Sequence, residues 1–328
     1  MVSLADRTAT SGTATGLRGL PFILILIAIA GAIFAAGRWF GSSYAFFMGY
    51  VVLQYIVLGT AWNILGGYTG YVNFGVTAFF AIGAYSTVVL NKLVPAMPLP
   101  LMILIGGAMA GLVGLGTGYL TLRLRGVFFS IATLALAVVV QTLITNWDFV
   151  GGARGAYVLR PRIAPLIGGE YVQYLFLIML GLCVIVLATA RAIERSALGY
   201  GFAAIRDDEG AAEASGVPTL RLKLIATGLS GGFMGMAGAP LPFYVTYLDP
   251  ASGFNLNYAV NAIAMPLIGG TSSWLGPVVG AILVGGLQEY LRVTISSAVN
   301  VLVAGVLMVA FVILAPQGIV GLFQRKKR

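Results

Sequence analysis

Asp207, Asp208, Glu209 and Glu213 crowd carboxylates into seven positions, and the surrounding stretch 191–223 holds five of the ten acidic residues in this 328-residue chain. Clustered carboxylates can ligate a metal, move protons or present charge to a partner. The chain has no histidine and one cysteine, Cys183. Metal chemistry and acid–base catalysis therefore lack their commonest residue, and a Cys-based metal site or disulfide framework is excluded. No acid, base and nucleophile cluster together as an enzyme would need. Presentation of charge is left. Phe202, Ile205, Glu209 and Ala212 recur at helical spacing, and Gly216 followed by Pro218 is a helix-stop signal. The spacing predicts a short amphipathic helix over about 201–214. Helices that rest on a bilayer favour Lys and Arg on the polar face; this one sets four acids against Arg206 alone. A protein partner with a basic groove suits it better than anionic lipid does.

Two glycine-rich segments form a second constellation. Gly66 to Gly75 and Gly269 to Pro277 each join apolar runs without a charged residue, and they lie in corresponding halves of the chain. Paired interruptions of this kind mark discontinuous helices around the substrate site in many transporters, and they suggest a two-half internal repeat. Freed backbone groups are tolerated at membrane depth only where they line a cavity or are buried in protein. On the pathway reading, Asn73, Thr271 and Ser272 are polar contacts, Tyr68, Phe74 and Trp274 are apolar walls, and Gly67, Gly70, Gly75 and Gly270 supply the breaks. The competing reading makes both stretches ordinary interfacial turns.

These residues must be positioned by apolar helices. Hydrophobic residues make up 59% of the chain and charged residues 9%, against about 25% charged in a soluble domain. The apolar runs are continuous rather than alternating, so the fold class is an all-α polytopic membrane protein, not a β-barrel. About ten transmembrane or re-entrant helices are expected, near 20–36, 44–65, 76–92, 99–121, 127–145, 171–190, 222–244, 257–269, 277–291 and 297–315. The eighth and ninth are short for a full crossing, which takes about 20 residues. Forty-five glycines suit membrane helices that approach closely through small residues. Residues 1–19 read as a disordered tail, 20–315 as the membrane domain with 191–223 inside it, and 316–328 as a basic tail. The first apolar run reads as an uncleaved helix, since a second follows at once.

With both termini in the cytoplasm, 13 of the 19 cationic residues fall on the cytoplasmic side, as the positive-inside rule requires. Arg154, Arg160 and Arg162 of the loop 146–170 then lie outside. Glu289 is the main carboxylate within a span, which argues against an ion- or proton-coupled transporter. A channel would leave the acidic loop unexplained.

Three motifs in order carry a resemblance. Ala197 to Val217, with its Ala204-Ile205-Arg206-Asp207-Asp208-Glu209 core, resembles the EAA-type coupling loop of ABC importer permeases. Gly66-Gly67-Tyr68-Thr69-Gly70-Tyr71-Val72-Asn73-Phe74-Gly75 and Gly269-Gly270-Thr271-Ser272-Ser273-Trp274-Leu275-Gly276-Pro277 are similar to segments of the M-type permease subunit of branched-chain amino acid ABC transporters. The resemblance runs from about residue 45 to 290. It implies a non-enzymatic transport subunit in a bacterial inner membrane, without cofactor or metal. Its partners would be a homologous second permease, two cytoplasmic ATPase subunits and an external substrate-binding protein. Phe202, Ile205, Arg206, Asp207, Asp208, Glu209, Glu213 and Gly216 would couple to the ATPase, and the three arginines would receive the binding protein. No G-x-x-x-x-G-K-[ST] phosphate loop occurs here, so the nucleotide site belongs to another chain. Urea, amides and aromatic acids are alternative substrates for a permease of this kind.

Overall fold

The computed structural model describes residues 11–39, 43–121, 126–160, 170–294, 305–306, 309 and 318–325. Seven helices among them are long and apolar enough to cross a bilayer. These are α1 (Ser11–Trp39), α2 (Ser43–Thr69), α3 (Val76–Leu93), α4 (Leu99–Thr121), α5 (Val127–Thr145), α6 (Tyr171–Glu194) and α9 (Thr219–Gly238). The last turns at Ala239-Pro240, where proline lacks the N–H that would continue the ladder, and resumes as α10 (Leu241–Val245), which the short α11 (Pro250–Gly253) follows. All seven coincide with expected spans. Helix α1 begins earlier than the apolar run, so residues 11–19 continue the helix rather than the tail assigned to them. The tenth span, 297–315, and Arg162 fall largely or wholly outside the described residues. Within the expected basic tail, Gly318–Arg325 forms a helix, α15.

Helix α2 is apolar all round and buried along most of its length, as expected of a central helix. Helices α6, α9 and α12 (Leu256–Gly269) surround it. Helix α1 turns Leu24, Ile25 and Ile27 outward, and α4 does the same with Leu104 and Leu112; such faces suit lipid. Helices α3, α4 and α9 meet on glycine. A Cβ on Gly83 would overlap the Gly235 carbonyl, and one on Gly106 would sit 3.2 Å from the Gly83 carbonyl oxygen. Close approach is what the glycine count implied.

The eighth and ninth spans form a tight hairpin. Helix α12 has 14 residues, about 21 Å of rise, short of a full crossing of about 30 Å. Helix α13 (Leu275–Gly280) leads through one wide turn, Ala281–Gly285, into α14 (Gly286–Thr294). At the bundle end opposite the acidic loop, β1 (Ala156–Tyr157) pairs antiparallel with β2 (Tyr247–Leu248), tying the segment after α5 to the one after α10.

Candidate functional site

The acidic stretch is two helices, not the single one expected. Helix α7 (Ala197–Asp207) and α8 (Glu209–Ala214) meet at Asp208, which leaves helical geometry at φ −160° and ψ 110°. Its side chain accepts the Ala211 N–H at 3.0 Å. An aspartate that can cap a helix start competes with continuation of the helix before it. At the far end Gly216 takes φ +84°. The Val217 N–H then donates to the Ala212 carbonyl and the Gly216 N–H to the Glu213 carbonyl, both at 3.0 Å. That is the Schellman stop the sequence signalled.

Burial divides the predicted coupling residues. Phe202 is 0% exposed and Ile205 is buried, so both pin α7 to the bundle, where it touches α2, α6 and α9. Arg206, Asp207 and Asp208 are exposed. Glu213 accepts the Thr219 hydroxyl at 2.7 Å. Glu209 points inward, with its side chain 13% exposed and paired at 2.6 Å with Lys223, which is 3% exposed. The Tyr71 hydroxyl donates to Glu209, and the Lys223 ammonium donates to Tyr71 at 3.2 Å. The acidic face is therefore not uniform. Asp207, Asp208 and Glu213 are exposed, and Glu209 alone is drawn into the protein. Lys223 belongs to the first turns of α9, inside the expected span 222–244, and is buried there.

Tyr71 sits in the first break, 70–75. The Trp62 indole donates to the Asn73 carbonyl at 2.9 Å, although Trp62 lies seven residues, about 10 Å of helix, before the end of α2. The chain thus folds back along α2. Its backbone is satisfied by side chains of α5: Ser130 donates to the Val72 carbonyl at 2.8 Å, and Thr133 accepts the Phe74 N–H at 3.1 Å. Asn73 accepts the Gly75 N–H at 2.7 Å. Asn73, named as a polar contact, spends its carbonyl side on shaping the break. Gly70 and Phe74 are exposed, while Gly67, Tyr68 and Gly75 are buried.

A cavity of about 380 Å³ lies beneath this break, lined by Thr69 to Val72, Val127, Ser130, Ile205, Arg206 and Glu209.

The second break meets the first. Gly270 opens it at φ +118°, a conformation only glycine adopts freely. A Cβ on Gly67 would lie 2.8 Å from the Thr271 carbonyl oxygen, and one on Gly59 would touch Pro266 and Pro277 at 3.4–3.6 Å. Gly59, Asn63 and Gly67 form one stripe of α2 at four-residue spacing, and this stripe faces the α12–α13 hairpin. Trp274 donates its backbone N–H to Glu194 at 3.2 Å, and its ring packs edge-on against Phe22 at 4.9 Å. Thr271 is half-buried, Ser272 is exposed and Gly270 is buried.

Polar side chains without partners collect along that stripe. Thr60 and Asn63 are each 1% exposed, and neither the Thr60 hydroxyl nor the Asn63 amide has a hydrogen-bond partner. The Tyr68 hydroxyl lies beside Asn63 without acceptable hydrogen-bond geometry. Each such group costs about 1–3 kcal/mol. Asn63 and Thr60 escaped the sequence reading because they sit in an unbroken apolar helix. Two polar residues three apart in a central span were the available signal.

At the opposite end, Arg160 donates to the carbonyls of Phe243 and Tyr244 at 2.9 and 3.0 Å and lies over the Tyr171 ring. It clamps α10 to the outer segment. Arg154 is exposed and its carbonyl accepts the Tyr247 hydroxyl at 2.7 Å. No group of three or more acidic, cysteine or histidine side chains among the described residues is placed to hold a metal.

Seven apolar helices long enough to cross a bilayer define a polytopic membrane protein. The family model for the branched-chain amino acid transport system permease component matches residues 44–312, and the chain belongs to that family. It is 30% identical over 293 residues to the high-affinity branched-chain amino acid transport system permease protein LivM of Escherichia coli, covering 82% of this chain and 68% of that one. A probable branched-chain amino acid transport permease protein LivH of Methanocaldococcus jannaschii is 24% identical over 77% of this chain and 84% of its own. An L-arabinose ABC transporter permease protein AraH of Azospirillum brasilense is 28% identical over 64% of this chain and 62% of its own. No solved structure matches.

Proposed function

We propose that this chain is the permease subunit of an ATP-driven importer for branched-chain amino acids, located in a bacterial inner membrane with the α6–α9 loop in the cytoplasm. It forms the substrate path with a homologous second permease. Two separate ATPase subunits drive it through α7 and α8, and a binding protein delivers substrate at the opposite end. The observation that carries the reading is the α7–α8 unit. Its apolar residues are sunk in the bundle, its exposed face is Arg206-Asp207-Asp208, and it sits on a chain of this permease family. A docked helix with a fixed base can act as a lever on the spans; a flexible loop would dissipate the movement.

Because Glu209 is held internally and Glu213 accepts the Thr219 hydroxyl, Asp207 and Asp208 are the residues to reverse. Asp207→Lys with Asp208→Lys is expected to weaken co-purification with the ATPase subunit at least about tenfold, or ~1.4 kcal/mol, with the chain still inserted and monodisperse. Undiminished co-purification would show that the ATPase docks elsewhere.

The path is assigned to the seam between α2 and the α12–α13 hairpin. The Asn63 amide, the Thr60 and Tyr68 hydroxyls and the Thr271 carbonyl offer donors for a carboxylate and acceptors for an ammonium, without fixed charge. Such a seam lets a small zwitterion pass without tight binding and leaves selectivity to the binding protein. Asn63→Leu is expected to leave the melting temperature unchanged or raised, since an unpartnered amide is removed, while uptake falls. A lowered melting temperature would show instead that Asn63 holds the seam together.

The arabinose permease among the relatives keeps a second substrate class in view. Competition of labelled leucine uptake by valine, isoleucine, amides and arabinose separates the two.

A further inference from the structure

We infer that the α6–α9 loop grips the two glycine breaks separately, through one carboxylate each: Glu209 on Tyr71 at the first break and Glu194 on Trp274 at the second. The inference rests on reading this loop as the ATPase-coupling element and goes on to say where its movement is delivered.

The two grips differ in depth. At the first, the Glu209 carboxylate takes the Tyr71 hydroxyl while paired with Lys223 at 2.6 Å, and Lys223 itself donates to Tyr71. This three-membered knot joins α8, the start of α9 and the non-helical chain at 70–75. At the second, the exposed Glu194 at the end of α6 takes the Trp274 backbone N–H at 3.2 Å. One turn earlier on α6, the Arg191 guanidinium lies 3.7 Å above the Phe22 ring and 5.6 Å from the Trp274 ring centre, which braces the same break from the same side.

Other contacts between loop and breaks are of a different kind. Gly70 lies against the aliphatic stem of Arg206, where a Cβ would be 3.2 Å from Cγ. A van der Waals contact of that sort transmits a push, because repulsion is steep, but resists separation weakly. Charge-assisted hydrogen bonds are about twice as strong as neutral ones and resist separation. A transport cycle moves its path both ways, so the return stroke at each break needs a contact that pulls. Glu209–Tyr71 and Glu194–Trp274 are placed to supply it. The cavity under the first break, bounded by Glu209 and Val127, gives that segment room to travel.

The test uses the whole transporter, with ATPase and binding protein, in proteoliposomes. Cys183 is the sole cysteine, so Cys183→Ser gives a silent background for single reporters. Phe74→Cys reports the first break and Ser272→Cys the second, each read as the rate of maleimide labelling with and without ATP plus vanadate. With no further change, nucleotide is expected to alter the labelling rate at both reporters. Tyr71→Phe, which keeps the ring and the Lys223–Glu209 pair, should abolish the change at 74 and preserve it at 272. Glu194→Ala should do the converse, and Glu194→Gln, whose amide oxygen still accepts the Trp274 N–H, should restore the response at 272. Uptake, measured without reporters, should fall about tenfold or more with Tyr71→Phe or Glu194→Ala while ATPase co-purification is unchanged. Persistence of the response at 74 in Tyr71→Phe, loss of both responses together in either variant, or absence of any response without them overturns the two-grip inference alone. Failure of the unaltered chain to bind the ATPase overturns the coupling reading, and the inference with it.

Discussion

Replacing Lys223 with methionine is expected to destabilise the protein by about 3–5 kcal/mol, and removing Glu209 as well is expected to recover most of that loss. The reason is an asymmetry. Taking two charges out of water is costly, and their attraction repays it only while both are present. Lys223 is 3% exposed and its partner carboxylate 13%, so neither charge can turn to solvent when the other goes. The methionine side chain fills nearly the same space but takes from the Glu209 carboxylate the cation that balances its charge. Replacing both, as Lys223→Met with Glu209→Leu, removes the stranded charge and restores packing. Pairs replaced in this way are often neutral or more stable. Denaturant or thermal unfolding in detergent measures the single and double variants, and a double-mutant cycle isolates the coupling. A single variant that unfolds with the unaltered protein would show the pair to be solvated in the bilayer-embedded state. The double variant is also informative for transport. It should fold well and import poorly, because the knot at the first break has lost its charge.

That pair also marks where the sequence was legible and where it was not. The spans could be read directly, since continuous apolar runs admit one solution in lipid. The breaks could be read from the glycine-dense segments as a whole, although Gly66-Gly67 stays within α2 and the interruptions fall at Gly70 and Gly270, both at positive φ. What could not be read was which face of the loop turns inward. Helical spacing placed Phe202, Ile205 and Glu209 together, and all three do turn toward the bundle. Treating Glu209 as part of an outward acidic face contradicted that stripe. Its partners are Lys223, 14 residues on, and Tyr71, 138 residues back, and no local pattern announces a contact of that range. Asp208 misled differently. It fits an amphipathic helix by charge, yet its side chain finds the Ala211 N–H and begins a second helix. Arg160 was read as a free outer charge, but it finds two carbonyls at the end of a proline-started helix, acceptors that exist only once α10 has formed.

The second large effect is steric, and it bears on the break whose backbone meets α2. Gly276→Ala is expected to lose at least about 3 kcal/mol, the upper end of what overpacking ordinarily costs, and to lower the folded yield sharply. A Cβ there would overlap the Gly270 carbonyl oxygen and lie 2.6 Å from its carbon and 3.1 Å from its nitrogen. Those are backbone atoms, which cannot swing away as a side chain would. Gly269 and Gly280 are wedged likewise, the first against the Gly276 backbone and the second against Met265, so α12 and α13 cannot part locally to admit a methyl group. Separation would also carry the Thr271 carbonyl away from Gly67 and open the seam assigned to the substrate. Gly181→Ala is the matched control: it lies within α6, and a Cβ there meets nothing within 4 Å. It should be neutral or stabilising by up to about 1 kcal/mol, because alanine is the better helix former. Unfolding midpoints of the two variants, measured side by side in the same detergent, decide the matter. Equal midpoints would mean that the hairpin is looser than its backbone contacts indicate and that the seam opens without strain. A large loss confined to Gly276→Ala would mean that the glycines fix the distance between the two breaks, and with it the closed width of the path.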